Sequence, residues 1–224
     1  MPTSRLRGSL ILTHNRPELL AECITAIKPQ VDLVLVVDNA SDPPARVEQD
    51  VHVLYVPDQP PNLANLWNQG WDWFAKFSHQ YNEHDGLDIA VLCDDAIVPE
   101  GWFAAVTAAM RQTGAAVGCS NPFGSVHPPV LKTQPDNNIA ARMPGWAWVT
   151  DADKGLRADE SMHFWWCDSD IDWQSRAAGG MVMIGGYLVP NMRPNEFLMQ
   201  RPDLGEQAGR DGEAFAAKWG YRPW

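Results

Sequence analysis

The sequence predicts an α/β fold: a Rossmann-like, mostly parallel sheet with helices on both faces. Three observations carry this. Through the first half, short apolar segments alternate with segments of helical periodicity over brief connections, the pattern of successive strand–helix units. The apolar segments are nearly continuous, as strands covered on both faces require. Three of them end in polar clusters, Thr13–Glu18, Asp38–Asp42 and Asp94–Asp95, and parallel strands would bring all three to one edge.

Taken in order, residues 8–13 predict a first strand. Pro17 opens an amphipathic helix carrying Leu19, Leu20, Cys23, Ile24 and Ile27. Val31–Val37 predicts a second strand and Val51–Val56 a third, broken by Asp58-Gln59-Pro60-Pro61; a helix from Leu63 to Phe77 follows. The fourth strand begins at Ile89 and runs into Asp94-Asp95, and Pro99-Glu100 suits the first turn of a helix through Phe103–Met110. After Ser120 the composition shifts. Residues 121–144, rich in Pro, Asn and Gly, predict a long loop, and residues 145–149 another strand. A helix through Ala178, closed by Gly179-Gly180, leads to a last strand, Met181–Val189, interrupted by Gly185-Gly186. Pro190–Pro202 is irregular, and Leu204–Trp219 predicts a final helix weakened by three glycines. The 224 residues fit one domain spanning 1–224.

A net charge of −11, with no Lys/Arg-rich block, argues against a protein whose affinity comes from neutralising nucleic-acid phosphates or an anionic membrane. Cys23, Cys93, Cys119 and Cys167 are widely spaced, which predicts reduced thiols in a cytoplasmic-type compartment and neither a zinc site nor a disulfide frame. No signal peptide and no membrane-length apolar run is visible, so a soluble, cytoplasmic protein is expected.

Several chemistries lack their motif. There is no Gly-x-x-x-x-Gly-Lys-Ser/Thr loop, no Gly-x-Gly-x-x-Gly after the first strand, no Gly-x-Ser-x-Gly elbow and no His-x-x-x-His pair. What remains is a carboxylate-rich sheet edge. Asp94-Asp95 supplies hard oxygen ligands of the kind Mg2+ or Mn2+ prefers, often together with phosphate; the plainer reading is a pair of turn aspartates. Farther on, Asp168, Asp170 and Asp172 crowd one segment beside Trp165 and Trp166.

The order Thr13-x-Asn15-Arg16-Pro17, Val37-Asp38-Asn39-Ala40-Ser41, Asn62–Gly70, Leu92-Cys93-Asp94-Asp95 and Asp168-x-Asp170 resembles the family 2 glycosyltransferases of the GT-A fold, over nearly the whole chain. The resemblance implies a donor half, 1–120, and a smaller acceptor half, 121–224. It implies a nucleotide-diphosphate sugar lying across the strand ends, with Mn2+ or Mg2+ bridging its phosphates to Asp95. Thr13, Asn15 and Arg16 would line the nucleotide pocket, with Asp94 beside them. Asp38 would accept a hydrogen bond from base or ribose, unless it closes an Asx-turn. Asn65 and Asn68 would reach the donor, unless they are helix surface. Asp168 would be the general base of an inverting transfer; a register slid by two makes Asp170 the candidate and recovers Arg176. Helix capping is the structural alternative for both. Trp165 and Trp166 would form an acceptor platform. The sequence departs from the family pattern at Cys93, where an acidic residue or Asn is often found, at Cys167 and Gln174, and at Asn191, near which many relatives carry a metal-binding histidine. A non-catalytic sugar- or nucleotide-binding module and a nucleotidyltransferase are the rival readings. The acceptor stays open among glycan, protein and small molecule, with modified nucleic acid disfavoured by the charge.

Overall fold

Four apolar segments that hydrogen-bond in parallel build one half of the sheet, and their register decides where the polar strand ends fall. In the computed structural model, which describes residues 5–57, 60–78, 84–136, 138, 141–191 and 203–221, the strands are β1 (Leu6–Thr13), β2 (Leu33–Asn39), β3 (His52–Val56), β4 (Leu87–Cys93), β5 (Val117–Ser120), β6 (Val130–Lys132), β7 (Ala147–Asp151) and β8 (Met181–Ile184). They form one sheet in the order β3-β2-β1-β4-β7-β5-β8-β6. β1 to β4 are mutually parallel, β7 runs against both β4 and β5, β8 is parallel to β5, and β6 is antiparallel to β8. The helices are α1 (Pro17–Ile27), α2 (Leu63–Ser78), α3 (Trp102–Thr113), α4 (Cys167–Ala177) and α5 (Asp203–Trp219).

Alternate residues of each strand point to opposite faces, and each face has its own helical cover. Ile11, Val34, Val36 and Leu92 pack under Leu20, Ile24 and Ile27 of α1 and Trp102, Phe103 and Val106 of α3. Leu10, Leu35, Val37, Val91 and Trp148 pack under Leu66, Trp67, Trp71 and Phe74 of α2, with Ile171 of α4 and Phe215 of α5 in the same cluster. Most of the tryptophans in the described residues are therefore buried core, the commoner use of that side chain.

Three expectations are corrected. The 121–144 segment contains β6, too short at three residues to leave a periodicity, held by pairing with Met181–Met183. The last strand stops at Ile184 instead of reaching Val189: Gly185 lies so close to the Ser125–His127 backbone that a Cβ would come within 2.3 Å of the His127 nitrogen. β2 runs two residues later than the apolar run, carrying Asp38 and Asn39 into the ladder opposite Tyr55 and Val56. The breaker residues Asp58 and Gln59, and most of the irregular Pro190–Pro202 segment, lie outside the described residues. All four cysteines are free thiols. No helix among the described residues is long and apolar enough to cross a membrane.

At the N-terminal ends of β1 and β4, Asp88 and Asp151 face each other across the β4–β7 pair, and Arg5 and Arg111 each bridge both carboxylates. A groove between α1 and α3 opens beside these arginines, but they are already committed to aspartates and offer an anion little.

Candidate active site

Thr13 stands opposite Asp38 in the β1–β2 pair, and Leu12 stands opposite Cys93 in the β1–β4 pair. The next residue after Cys93, Asp94, is thereby set beside Thr13. The Thr13 hydroxyl donates to Asp94 Oδ2 at 2.9 Å. Arg16, just before α1, places one guanidinium nitrogen 3.2 Å from Asp94 Oδ1 and 3.2 Å from Asp95 Oδ2. The two carboxylates sit in a tight turn closed by the Ala96 N–H on the Cys93 carbonyl, yet they are only 4% and 3% exposed. They are turn aspartates and buried at once, which a merely solvated turn does not explain.

Burial pushes the Asp94 carboxyl up to about 6; the Arg16 charge and the Thr13 hydroxyl pull against that, and the Asp95 charge adds to it. The folded protein therefore binds this proton more tightly than the unfolded chain, so the group's contribution to stability falls as pH rises from about 4 to about 6 and stays unfavourable above. Asp94→Asn removes the charge and keeps one acceptor oxygen for Arg16, while its amide can donate to the Thr13 hydroxyl. It is expected to raise unfolding free energy by roughly 1–3 kcal/mol at pH 8, with the gain shrinking towards pH 4, as measured by urea titration across that range.

The first two polar loops are stapled together. Asn15, in the left-handed region at φ 56°, donates its backbone N–H to Ser41 Oγ at 2.9 Å and accepts from the Asp42 N–H at 2.7 Å; a short amide side chain tolerates that conformation. Asp38 has no exposed surface, and its two oxygens accept the N–H groups of Ser41 and Ala45 at 3.0 and 2.7 Å. Asp38 thus fills the turn role, its carboxylate enclosed by the loop it closes.

Asn68 is likewise engaged within the fold. It is 6% exposed, donates to the Ala158 carbonyl and to Glu160, and accepts from the Ala158 N–H, clamping α2 to the chain before α4. Asn65 is half-buried in the first turn of α2, its side-chain oxygen accepting from Gln69. Its N–H is taken by Asn62, an N-cap with the favoured side chain.

The three carboxylates of α4 separate cleanly. Asp170 has no exposed surface and accepts from Gln174 at 2.7 Å, the Trp219 indole N–H at 2.9 Å and Lys218, whose Nζ lies 2.8 Å from Oδ1. It anchors α5, and both of its carboxylate oxygens are engaged in doing so. Asp172 is equally buried, paired with Arg176 through two nitrogens at 2.8 and 2.9 Å. Asp168 alone is partly exposed. The Ser169 N–H donates to its Oδ1 at 2.7 Å. The other oxygen lies against Gly145, where a Cβ would approach to 2.5 Å. Burial raises its proton affinity, the Ser169 N–H and the Arg142 charge lower it, and the Asp172 charge raises it further; the net direction is up.

Gly145 is what joins Asp168 to the rest of the site. The next residue, Trp146, accepts the Cys93 N–H at 3.0 Å, so the chain carrying Gly145 extends the β7–β4 pairing up to Asp94. Sequence reasoning passed over Gly145; a glycine immediately before a strand was its only local signal. Neither Asp168 nor Asp170 caps α4. That position belongs to Trp166, at φ 64°, with no side-chain cap.

Trp166 is 7% exposed and packs on Phe215, so it cannot form an open platform. Trp165 is half-buried, with its indole N–H on the Leu204 carbonyl at 2.9 Å.

For a divalent cation, the oxygen donors present fit a hard ion. Asp94 and Asp95 offer carboxylate oxygens, and Asn191, whose backbone bridges to Ala96, has a buried side-chain oxygen without a hydrogen-bond partner. No cluster of three His, Cys, Asp or Glu side chains exists among the described residues, so phosphate oxygens would have to complete the coordination.

No family model and no curated protein matches the sequence. Solved structures do match in fold. TarS 1–349 from S. aureus in complex with UDP superposes with a TM-score of 0.59 at 11% identity over 90% of this chain. The same protein with UDP-GlcNAc gives 0.57 at 11% over 82%. GalNAc-T7 with UDP, GalNAc and Mn2+ gives 0.56 at 11% over 83%. The chain spans 65%, 57% and 43% of the lengths of those three structures. The sheet and its carboxylate edge thus define a GT-A fold, that of nucleotide-sugar glycosyltransferases.

Proposed function

We propose that the protein is an inverting glycosyltransferase that moves a sugar from a nucleotide-diphosphate donor to an acceptor hydroxyl, using Mn2+ or Mg2+. The observation that supports it most is the convergence of Thr13, Arg16, Asp94 and Asp95 with the half-exposed Asp168 on one edge of a GT-A sheet. Solved structures of that fold hold UDP and UDP-GlcNAc, so a uridine donor is the first to test.

Arg16 sits where the diphosphate of a donor across the strand ends would lie, able to offset charge as the bond to the leaving group breaks. Asp95, with Asp94 beside it in sequence, would hold Mn2+ or Mg2+, which would supply further neutralisation of that diphosphate. Asp168 takes the acceptor hydroxyl proton while that oxygen attacks the anomeric carbon from the face opposite the diphosphate, which departs with the bonding pair. Its raised proton affinity favours its taking the acceptor proton.

The test is calorimetry of UDP-, GDP-, dTDP- and CMP-sugars with and without Mn2+. A UDP-sugar is expected to bind with metal and to weaken at least about tenfold in Asp95→Ala, one strong charge-assisted contact's worth. Metal-independent binding would remove Asp95 as a ligand. Failure of every donor to bind folded protein would overturn the reading, and binding without hydrolysis or transfer would make the chain a donor-binding module.

A further inference from the structure

Asp211 lies on α5, far in sequence from Asp168, yet its carboxylate has no exposed surface and collects three consecutive backbone N–H groups. His163 donates to Oδ1 at 3.0 Å, and Phe164 and Trp165 donate to Oδ2 at 2.9 and 2.8 Å. Gln207, one turn earlier on α5, adds a fourth donor. Successive N–H groups turned towards one point make an anion-binding concavity, and here the chain fills it with its own carboxylate.

The segment so held ends at Trp166, whose left-handed φ of 64° is sparsely populated for a bulky residue and persists only where the surroundings enforce it. Its indole rests on the same stretch of α5. A Cβ on Gly212 would come 3.4 Å from its Nε1, and the Phe215 ring centroid is 5.8 Å away. α4 starts at the next residue, and Asp168 is its second. On the other side of Asp168, Asp170 is held by Lys218 and Trp219 of the same helix. α5 therefore grips the chain on both flanks of Asp168, and among the described residues no α5 side chain is hydrogen-bonded to Asp168.

We infer that Asp211 is a positioning residue: it fixes the backbone of residues 163–165, and through the turn at Trp166 it sets where the Asp168 carboxylate stands against Gly145. This rests on the reading of Asp168 as base. It explains why a buried carboxylate is satisfied by main-chain donors instead of a cation: backbone contacts fix the path of the chain, whereas a side-chain ion pair fixes only a side chain.

The test compares the full-length wild type with Asp211→Asn, which retains one acceptor oxygen, and with Arg111→Ala, which cuts an ion-pair network at the opposite end of the sheet. UDP affinity with Mn2+ is expected to stay within about twofold in both variants. The kcat for donor turnover should fall at least about tenfold in Asp211→Asn with donor KM unchanged, the signature of a lost transition-state interaction, and stay within about twofold in Arg111→Ala. An equal kcat loss in the two variants would overturn the inference, as would a parallel loss of UDP affinity in Asp211→Asn. If the wild type turns over no donor, it is the functional reading that fails. The inference is then decided by the Asp168 carboxyl signal in 13C NMR: a titration midpoint displaced in Asp211→Asn but not in Arg111→Ala supports it, and an unmoved one overturns it.

Discussion

Asp168→Asn is expected to lower glycosyl transfer by roughly 10²–10⁴, the contribution typical of a positioned general base, while leaving nucleotide affinity intact. Asparagine has the same shape, so the contact with Gly145 survives, and Thr13, Arg16, Asp94 and Asp95 are tied to one another. What is lost is the ability to take a proton. Steady-state turnover paired with UDP calorimetry separates the two. Full activity would place the base elsewhere, and a joint loss of binding and turnover would mean that Asp168 supports the fold of the edge. In the wild type, the ionised, competent form of Asp168 appears as pH rises through a value above the ordinary carboxylate range, because burial outweighs the Ser169 N–H and Arg142. The rate should therefore fall as pH is lowered through that point, and the acid limb should disappear in the Asn variant.

Arg176→Met is expected to cost about 3–5 kcal/mol of unfolding free energy, the penalty of leaving a buried charge without its partner. Arg176 and Asp172 have side chains 1% and 0% exposed. The guanidinium also donates to the carbonyls of Gln134 and Ala141, and Asp172 accepts the Met143 N–H. One ion pair thus ties α4 to the chain that delivers Gly145. Burial already raises the Asp172 carboxyl despite Arg176, and without the arginine it would be easier still to protonate. The loss should accordingly be larger at pH 8 than at pH 5. Urea unfolding at both values checks this, and Asp172→Leu combined with Arg176→Met should recover much of the loss, since no charge is then left buried.

The donor side was legible because its logic is local. Each of β1, β2 and β4 is a short apolar run ending in polar residues, and parallel pairing with small offsets is enough to align Thr13, Asp38 and Asp94. Identity was less secure than location. Asp38 and Asn68 stand where the motifs put them, but their side chains serve the turn after β2 and the clamp on Ala158. Both roles are hydrogen bonds to backbone whose position only the folded chain supplies. β6 and Gly145 went unseen for a related reason: three residues carry no measurable period, and a glycine's neighbour across space leaves no mark beside it in sequence.

The α4 carboxylates draw the line most clearly. By itself the sequence determined the alternating architecture, the sheet edge with Asp94-Asp95, and the presence of acidic residues at 168, 170 and 172. Only the tertiary structure decided which of the three is available. On a helix, residues two apart point to nearly opposite sides and residues four apart share a face one turn on, so Asp170 parts from the other two, which meet neighbouring points of the chain at Met143 and Gly145. Asp170 faces Lys218 and Trp219 of α5, Asp172 meets Arg176 one turn on with the Met143 backbone, and Asp168 in the first turn meets the bare backbone of Gly145. Three chemically identical groups acquire different fates because burial and partners are properties of the surfaces they meet.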